Sequence, residues 1–297
     1  MAVSFASIVP VRSISLPSRL NPKSEKIESD LNKLKTLKFS SSLVSKDLLV
    51  GFSGLAELYN CIEKLVLSPL TQQALLNQQC KALVEEALDG SVGLLDSCAS
   101  ARDILLTMKE HVQNIQSALR RRTGASSIET SVHSYICFRK KARKSSAKSL
   151  RDLKKMETNL GSFRLLDCDY NVQIVLKLLR ELSDVTISAF QSLFMFLSMP
   201  ATSAKGSKWS LVPKLMAAKF AAAQKDQKVY NEVGSVDVAL CSLRGNTRKS
   251  DPKTDVQVVQ WRLDTLDCSI SGLEAGLERL FRCLLQHRVS LLNVLTP

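Results

Sequence analysis

Apolar side chains recur at steps of three and four residues through most of the chain, which is the spacing of one face of an α-helix. Alternation of the strand type is scarce. The pattern therefore predicts an all-α fold, an elongated antiparallel helical bundle with long, coiled-coil-like helices. We expect one domain over residues 24–297, with an irregular segment at about 200–253 and a flexible tail at 1–23.

Two segments keep a strict seven-residue apolar repeat, one at 91–122 and one that begins at Asp251-Pro252. Because the two seams match, we expect the two helices to pack on each other within one chain. Pairing of 259–284 with a second copy, which would give a homo-oligomer, is the alternative. The seam positions are Leu94, Cys98, Ala101, Leu105, Met108, Val112, Ile115 and Leu119 in the first, and Val259, Leu263, Leu266, Ile270, Leu273, Leu277, Leu280 and Leu284 in the second.

Glycine and proline mark the predicted helix ends. Pro69 is typical of a first helical turn and Asp89-Gly90 of a helix C-terminus, so the segment between them is predicted as one helix. The break at 123–127 predicts a tight reversal, and Pro200 predicts a helix end. Residues 229–243 fit either a helix or a short extended piece. Further helices are predicted at 128–160 and 170–198.

Membrane and compartment signals are weak. No charge-free apolar stretch reaches about 18 residues, so no spanning helix is predicted, and 185–199 is interpreted as the end of a buried core helix, with insertion at a membrane interface as the alternative. The eight cysteines lack a CxxC pair, which indicates reduced thiols. Residues 1–23 contain no acid. This composition occurs in organelle transit peptides, but we expect a flexible tail on a cytoplasmic protein that can lie at a membrane surface; import into the chloroplast is the alternative.

The charge is strongly basic, since 41 Lys and Arg face 28 Asp and Glu for a net charge of +13. This balance predicts an anionic partner. Few aromatic residues accompany the main basic cluster, so an anionic membrane surface or an acidic protein is favoured over nucleic acid. A solvated helix face without a partner is the alternative. The predicted partner-binding residues are Arg120, Arg121, Arg122, Arg139, Lys140, Lys144, Lys148, Arg151 and Lys155.

The sequence contains few motifs that indicate catalysis, cofactor or metal binding, or modification. The chain has no phosphate-binding loop, dinucleotide fingerprint, nucleophile elbow or HExxH motif, so no catalytic residue or cofactor is predicted. Its three histidines are far apart, without ligand spacing to cysteines or acids, so no metal site is predicted; His287 is interpreted as a hydrogen-bonded core residue. Ser15 lies in an R-S-x-S-x-P arrangement, which predicts phosphorylation and recognition by a phosphoserine-binding protein.

Five stretches carry a resemblance to a known family. They are VRSISLPSR at 11–19, SPLTQQAL at 68–75, DGSVGLLDSCASARDILLTMKEHVQNIQSALRRR at 89–122, SYICFRKKARK at 134–144 and GLERLFRCLLQHRVSLLNVL at 276–295. Through them the chain resembles the BYPASS-like proteins of land plants. The resemblance implies a plant protein with an all-helical fold that is involved in root and shoot development, and it supplies no catalytic residues.

The leading hypothesis is a non-enzymatic helical interaction protein that presents its basic cluster to protein or membrane partners. The alternative is an enzyme that makes or modifies a small signalling metabolite in a cavity of the bundle.

Overall fold

The computed structural model describes residues 22–36, 44–75, 78–121, 125–160, 170–199, 231–245 and 252–296. Within these ranges every regular element is a helix and no strand occurs, which confirms the all-α prediction. The helices are α1 (Pro22–Thr36), α2 (Ser45–Val66), α3 (Pro69–Leu75), α4 (Gln78–Arg120), α5 (Ala125–Leu160), α6 (Tyr170–Ser198), α7 (Glu232–Gly245) and α8 (Pro252–Leu295).

The two heptad seams meet inside the chain, as predicted. All sixteen seam side chains are buried, and α4 runs antiparallel to α8, since Arg288 lies beside Leu88 while Gln116 lies beside Asp264. Because the chain's own helices cover the 259–284 seam, an oligomer through these residues would require the bundle to open.

The other long helices complete the bundle around one apolar core. Helix α5 packs antiparallel on α4, and α6 lies between α5 and α2. Helix α2 runs parallel to α8, because Ser45 contacts Ser269 while Glu63 contacts Ser290. One cluster of buried apolar side chains contains residues from all eight described helices. Residues 185–199, interpreted from the sequence as core, form the end of α6 and the residue that follows it, and they are largely buried.

The predicted helix end at Asp89-Gly90 is wrong, because α4 continues through it without a break. Tertiary contacts offset the low helix propensity of glycine here. Ser91 is buried and donates to the Leu88 carbonyl, and Arg288 from α8 donates to the same carbonyl at 2.6 Å. The local signal for an end was therefore overridden by packing against α8.

Smaller differences concern the segment ends. Residues 229–243, which fitted either a helix or a strand, contain most of α7. Helix α5 begins at Ala125 rather than at 128. The predicted tail up to residue 21, the turn at 122–124 and most of the irregular segment, including Pro200, lie outside the described residues.

Candidate functional site: the basic face of helix α5

Helix α5 is amphipathic, with an apolar side and a basic side. Val132, Tyr135, Ala142 and Leu153 are buried and recur at helical spacing, so they fix the side that faces the core. The side opposite them carries five cations that share one helix face. We define the α5 basic face as Lys140, Lys144, Lys148, Arg151 and Lys155.

All five side chains of the α5 basic face are exposed, as are the flanking Lys141 and Lys154. The face extends for about 22 Å, the rise of fifteen helical residues. None of the seven cations forms an ion pair with a residue that the structure describes. This exposed side of α5 is therefore a concentrated source of positive potential, in which Asp152 is the one exposed acid between Lys140 and Lys155.

Arg139 is a correction to the predicted cluster, because it is only 2% exposed and faces the core. Its Nε donates to Asp237 of α7 at 3.1 Å, and its Nη1 and Nη2 donate to the carbonyls of Leu197 and Met199 at 2.5 and 2.9 Å. Buried guanidinium groups are retained where carboxylates and carbonyls satisfy their donors in this way. Arg139 therefore satisfies carbonyl groups at the end of α6 and is not available to an outside partner.

Asp237 is the acceptor at the centre of this buried network. Besides Arg139, the hydroxyl of Tyr135 donates to it at 2.9 Å and Nη2 of Arg143 donates at 2.9 Å. Burial together with the Asp237 carboxylate raises the pKa of Tyr135 well above its ordinary value. Burial and the neighbouring Arg139 lower the pKa of Arg143. The network joins α5, the end of α6 and α7, and it is structural in character.

The sequence by itself does not predict this network, although the spacing of its three α5 residues indicates that they share one side of the helix. Tyr135, Arg139 and Arg143 are spaced four residues apart, and Arg139 falls on the same side as the apolar Tyr135 and Ala142. A cation at a core position predicts a buried partner. That the partner is Asp237, 98 positions later, could not be read from the periodicity.

The arginines at the end of α4 lie apart from the α5 basic face. Arg120 is exposed and 3.4 Å from Asp264, and Arg121 donates from Nε to the Ser117 carbonyl. His111 of α4 stacks on Phe138 of α5, so Arg120 lies about 13 Å further along the bundle axis, beyond the start of the face. The other predicted residues, Arg122 and Ser15, lie outside the described residues.

Most of the chain matches one known protein family. The family model described as Protein BPS1 matches residues 51–294, from within α2 to the last turn of α8. The chain belongs to the BPS1 protein family. This confirms the resemblance to BYPASS-like proteins, and membership implies a plant protein of root and shoot development. No curated protein and no solved structure matches the chain.

Two ionisable side chains inside this BPS1-family bundle, His287 and Tyr59, pack against each other. Burial lowers the pKa of His287 to about 4, and its ring packs edge-on against Tyr59, 5.3 Å between centroids. The Nδ1 atom of His287 has no hydrogen-bond partner among the described residues, which departs from the hydrogen-bonded role predicted for it. Tyr59 pairs with the Thr186 hydroxyl at 3.0 Å, and burial raises the pKa of the Tyr59 phenol.

Two of the grooves on the described surface of the BPS1-family chain lie beside α4. One, of about 650 Å³, lies between the end of α4 and the start of α8 and contains Arg120, Arg121 and Asp264. The other, of about 510 Å³, lies between α4 and α5 and contains Asp96 and Asp103. Both open to solvent. The part of the chain that the structure describes brings together no three metal-ligating side chains, and no described helix is both long and apolar enough to cross a membrane.

Proposed function

We propose that this BPS1-family protein is a non-enzymatic interaction protein that attaches to anionic membrane surfaces through the α5 basic face, and that it acts in this way in root and shoot development. One observation carries the proposal: seven exposed cations of α5 lie together without an ion-pair partner among the described residues. An ordinary exposed helix mixes both signs of charge to limit self-repulsion.

The composition of the face favours a membrane over an acidic protein. Protein interfaces have an apolar or aromatic centre surrounded by polar residues. Among the described residues of α5, no large apolar side chain is exposed beside the basic face. A purely cationic surface fits the diffuse negative potential of a lipid bilayer, where each Lys or Arg near the surface contributes about 1 kcal/mol.

Sedimentation with vesicles tests the proposal. The intact protein should sediment with vesicles that contain phosphatidylserine and not with vesicles of phosphatidylcholine alone. Replacing Lys140, Lys144, Lys148 and Arg151 by Gln should weaken binding about 100- to 1000-fold, because four contacts of about 1 kcal/mol are lost.

A matched control removes the same net charge from scattered sites. Lys26, Lys46, Lys64 and Lys81 are exposed on α1, α2 and α4, and the structure gives them no ion pair among its described residues. Replacing these four by Gln should leave vesicle binding within a few-fold of the parent. Equal effects of the two quadruple variants, or no binding by the parent protein, would overturn the proposal. Capture of an acidic protein by the parent but not by the α5 variant, without vesicle binding, would replace the membrane by a protein partner.

Cell fractionation addresses the compartment. We expect a tagged full-length protein in the cytoplasm with a portion in the membrane pellet, released by high salt. A chloroplast-only distribution would favour the transit-peptide alternative for residues 1–23 and would contradict this part of the proposal. The enzyme alternative stays a prediction, and an assay for turnover of plant metabolites would test it.

A further inference from the structure

The α5 segment that carries the seven cations also carries three serine hydroxyls in very different surroundings. Ser145 is exposed. Ser146 is fully buried, and its hydroxyl has no hydrogen-bond partner in the described part of the chain. Ser149 is half-buried, with its hydroxyl 3.3 Å from that of Ser100 on α4. Ser145 is therefore the one hydroxyl of the three that an enzyme could reach without moving α5 away from the bundle.

Ser145 lies among cations that form no ion pair with a described residue. Lys141 precedes it by four residues and Lys148 follows it by three, so both are its neighbours on the helix surface. Lys144 adjoins it in sequence. A phosphate at this position would carry a charge of about −1.5 to −2 and would accept hydrogen bonds from the flanking ammonium groups.

The opposite wall of the α4–α5 groove adds a second effect. Asp96 and Asp103 of α4 line this groove together with Lys141 and Ser145. Their carboxylates would repel a phosphate that turned into the groove, so the phosphate is directed outward, toward Lys148 and the α5 basic face. A phosphate on Ser145 would thus offset the positive charge of the α5 basic face and would not stabilise the contact between α4 and α5.

We propose that Ser145 is a phosphorylation site that switches the α5 basic face off. A protein kinase that selects basic flanks transfers the γ-phosphoryl group of ATP to the serine oxygen; the new P–O bond forms as the bond to ADP breaks, and the hydroxyl proton is released. Because the added charge opposes two neighbouring cations, the phosphorylated protein leaves an anionic membrane. This inference rests on the proposed function and names its regulation.

Vesicle binding of charge variants tests the switch. Ser145→Glu, which adds one negative charge, should weaken binding to phosphatidylserine vesicles about fivefold, and stoichiometric phosphorylation of Ser145 should weaken it about ten- to thirtyfold. Ser145→Ala should bind as the parent does. Helicity and the urea midpoint of Ser145→Glu should equal those of the parent because the site is exposed; loss of binding through unfolding would overturn the proposal.

Ser127 provides a matched control on the same helix. It is exposed and lies eighteen residues, or about 27 Å and five full turns, before Ser145, so it occupies the same side of α5 outside the basic segment. Since this distance exceeds the Debye length of about 8 Å, Ser127→Glu should change binding less than twofold. An equal loss in both variants would indicate a net-charge effect and would overturn the switch.

Phosphopeptide mass spectrometry on protein purified from root and shoot tissue completes the test. We expect phosphate on Ser145 in the soluble fraction and none on the buried Ser146. Absence of phosphate from Ser145 in that fraction would overturn the inference. If the unmodified protein binds vesicles and Ser145→Glu binds equally well, the switch fails while the proposed function stands; if the unmodified protein fails to bind, the proposed function itself fails.

Discussion

Asp237 is the hydrogen-bond acceptor that three polar side chains of α5 share. Tyr135, Arg139 and Arg143 all donate to its carboxylate, and its side chain is 6% exposed. Transfer of a guanidinium group out of water is costly, and the attraction to a carboxylate offsets that cost only while the carboxylate is charged. Asp237 therefore keeps the buried Arg139 compatible with folding.

Replacing Asp237 by Asn tests this dependence at nearly constant shape. The substitution leaves Arg139 buried without a counter-charge, so the free energy of unfolding should fall by about 3 kcal/mol or more. Urea denaturation followed by circular dichroism would measure it. The exposed pair of Arg120 and Asp264 provides the control: Asp264→Asn should cost less than about 1 kcal/mol, because surface ion pairs contribute little. Similar losses in both variants would contradict a special role for Asp237.

At this scale the sequence predicts exposed cations well and buried ones poorly. Lys140, Lys144 and Lys148 lie in water as their shared helix face indicates, because lysine rarely lies in a core without a partner. Arg139 was grouped with them by proximity along the chain, whereas its side of the helix is that of Tyr135. Its partner comes from α7, and no local pattern specifies such a distant contact.

Helix α4 shows how tertiary contacts decide where an element ends. Gly90 and Gly93 both lie inside this continuous helix, although glycine is typical of helix ends. Their surroundings differ. A Cβ atom built on Gly90 would have no atom of another described segment within 4 Å, whereas one on Gly93 would lie 2.6 Å from the sulfur of Met156 on α5. Only Gly93 allows close approach of the two helices.

Replacing Gly90 by Ala should therefore stabilise the protein, by about 0.5–1 kcal/mol, because alanine loses less backbone entropy in a helix and meets no neighbour. Gly93→Ala gains the same propensity but must displace the Met156 side chain, so its net effect should be smaller than that of Gly90→Ala or destabilising. Thermal unfolding of both variants would measure the difference. Destabilisation by Gly90→Ala would indicate that the residue is needed for a bend or contact that the described structure does not show.

For whole elements, too, the pattern of apolar residues predicted the structure correctly, whereas a purely local signal did not. The seven-residue repeats of α4 and α8 located both helices and their contact, since apolar periodicity reports directly on burial. The Asp89-Gly90 boundary failed because its signal is local, while Arg288 and Ser91 stabilise that turn through contacts that form only in the folded bundle.

Across the whole molecule, apolar contacts and charge interactions differ in how they respond to salt. The contact between α4 and α8 is an apolar seam of fully or almost fully buried side chains, flanked by partly exposed ion pairs such as Lys109–Glu274 and Arg102–Glu278. Ion pairs of this exposure add little to stability. The α5 basic face, in contrast, consists of charged side chains, and its cations repel one another in the free protein.

Raising the salt concentration from about 0.1 M to about 1 M shortens the Debye length from about 10 Å to about 3 Å. Folding should respond weakly, since the seam is apolar and screening relieves the repulsion within the basic face while it weakens the surface ion pairs. The urea midpoint should therefore change little, whereas binding to phosphatidylserine vesicles should be lost. Measuring both on one protein sample isolates the two contributions. The quadruple Gln variant of the α5 basic face should lose the binding response, and its urea midpoint should fall slightly more in salt than that of the parent, because less repulsion is left to relieve. A large fall of the urea midpoint in salt would mean that charge, rather than the apolar seam, holds the bundle together.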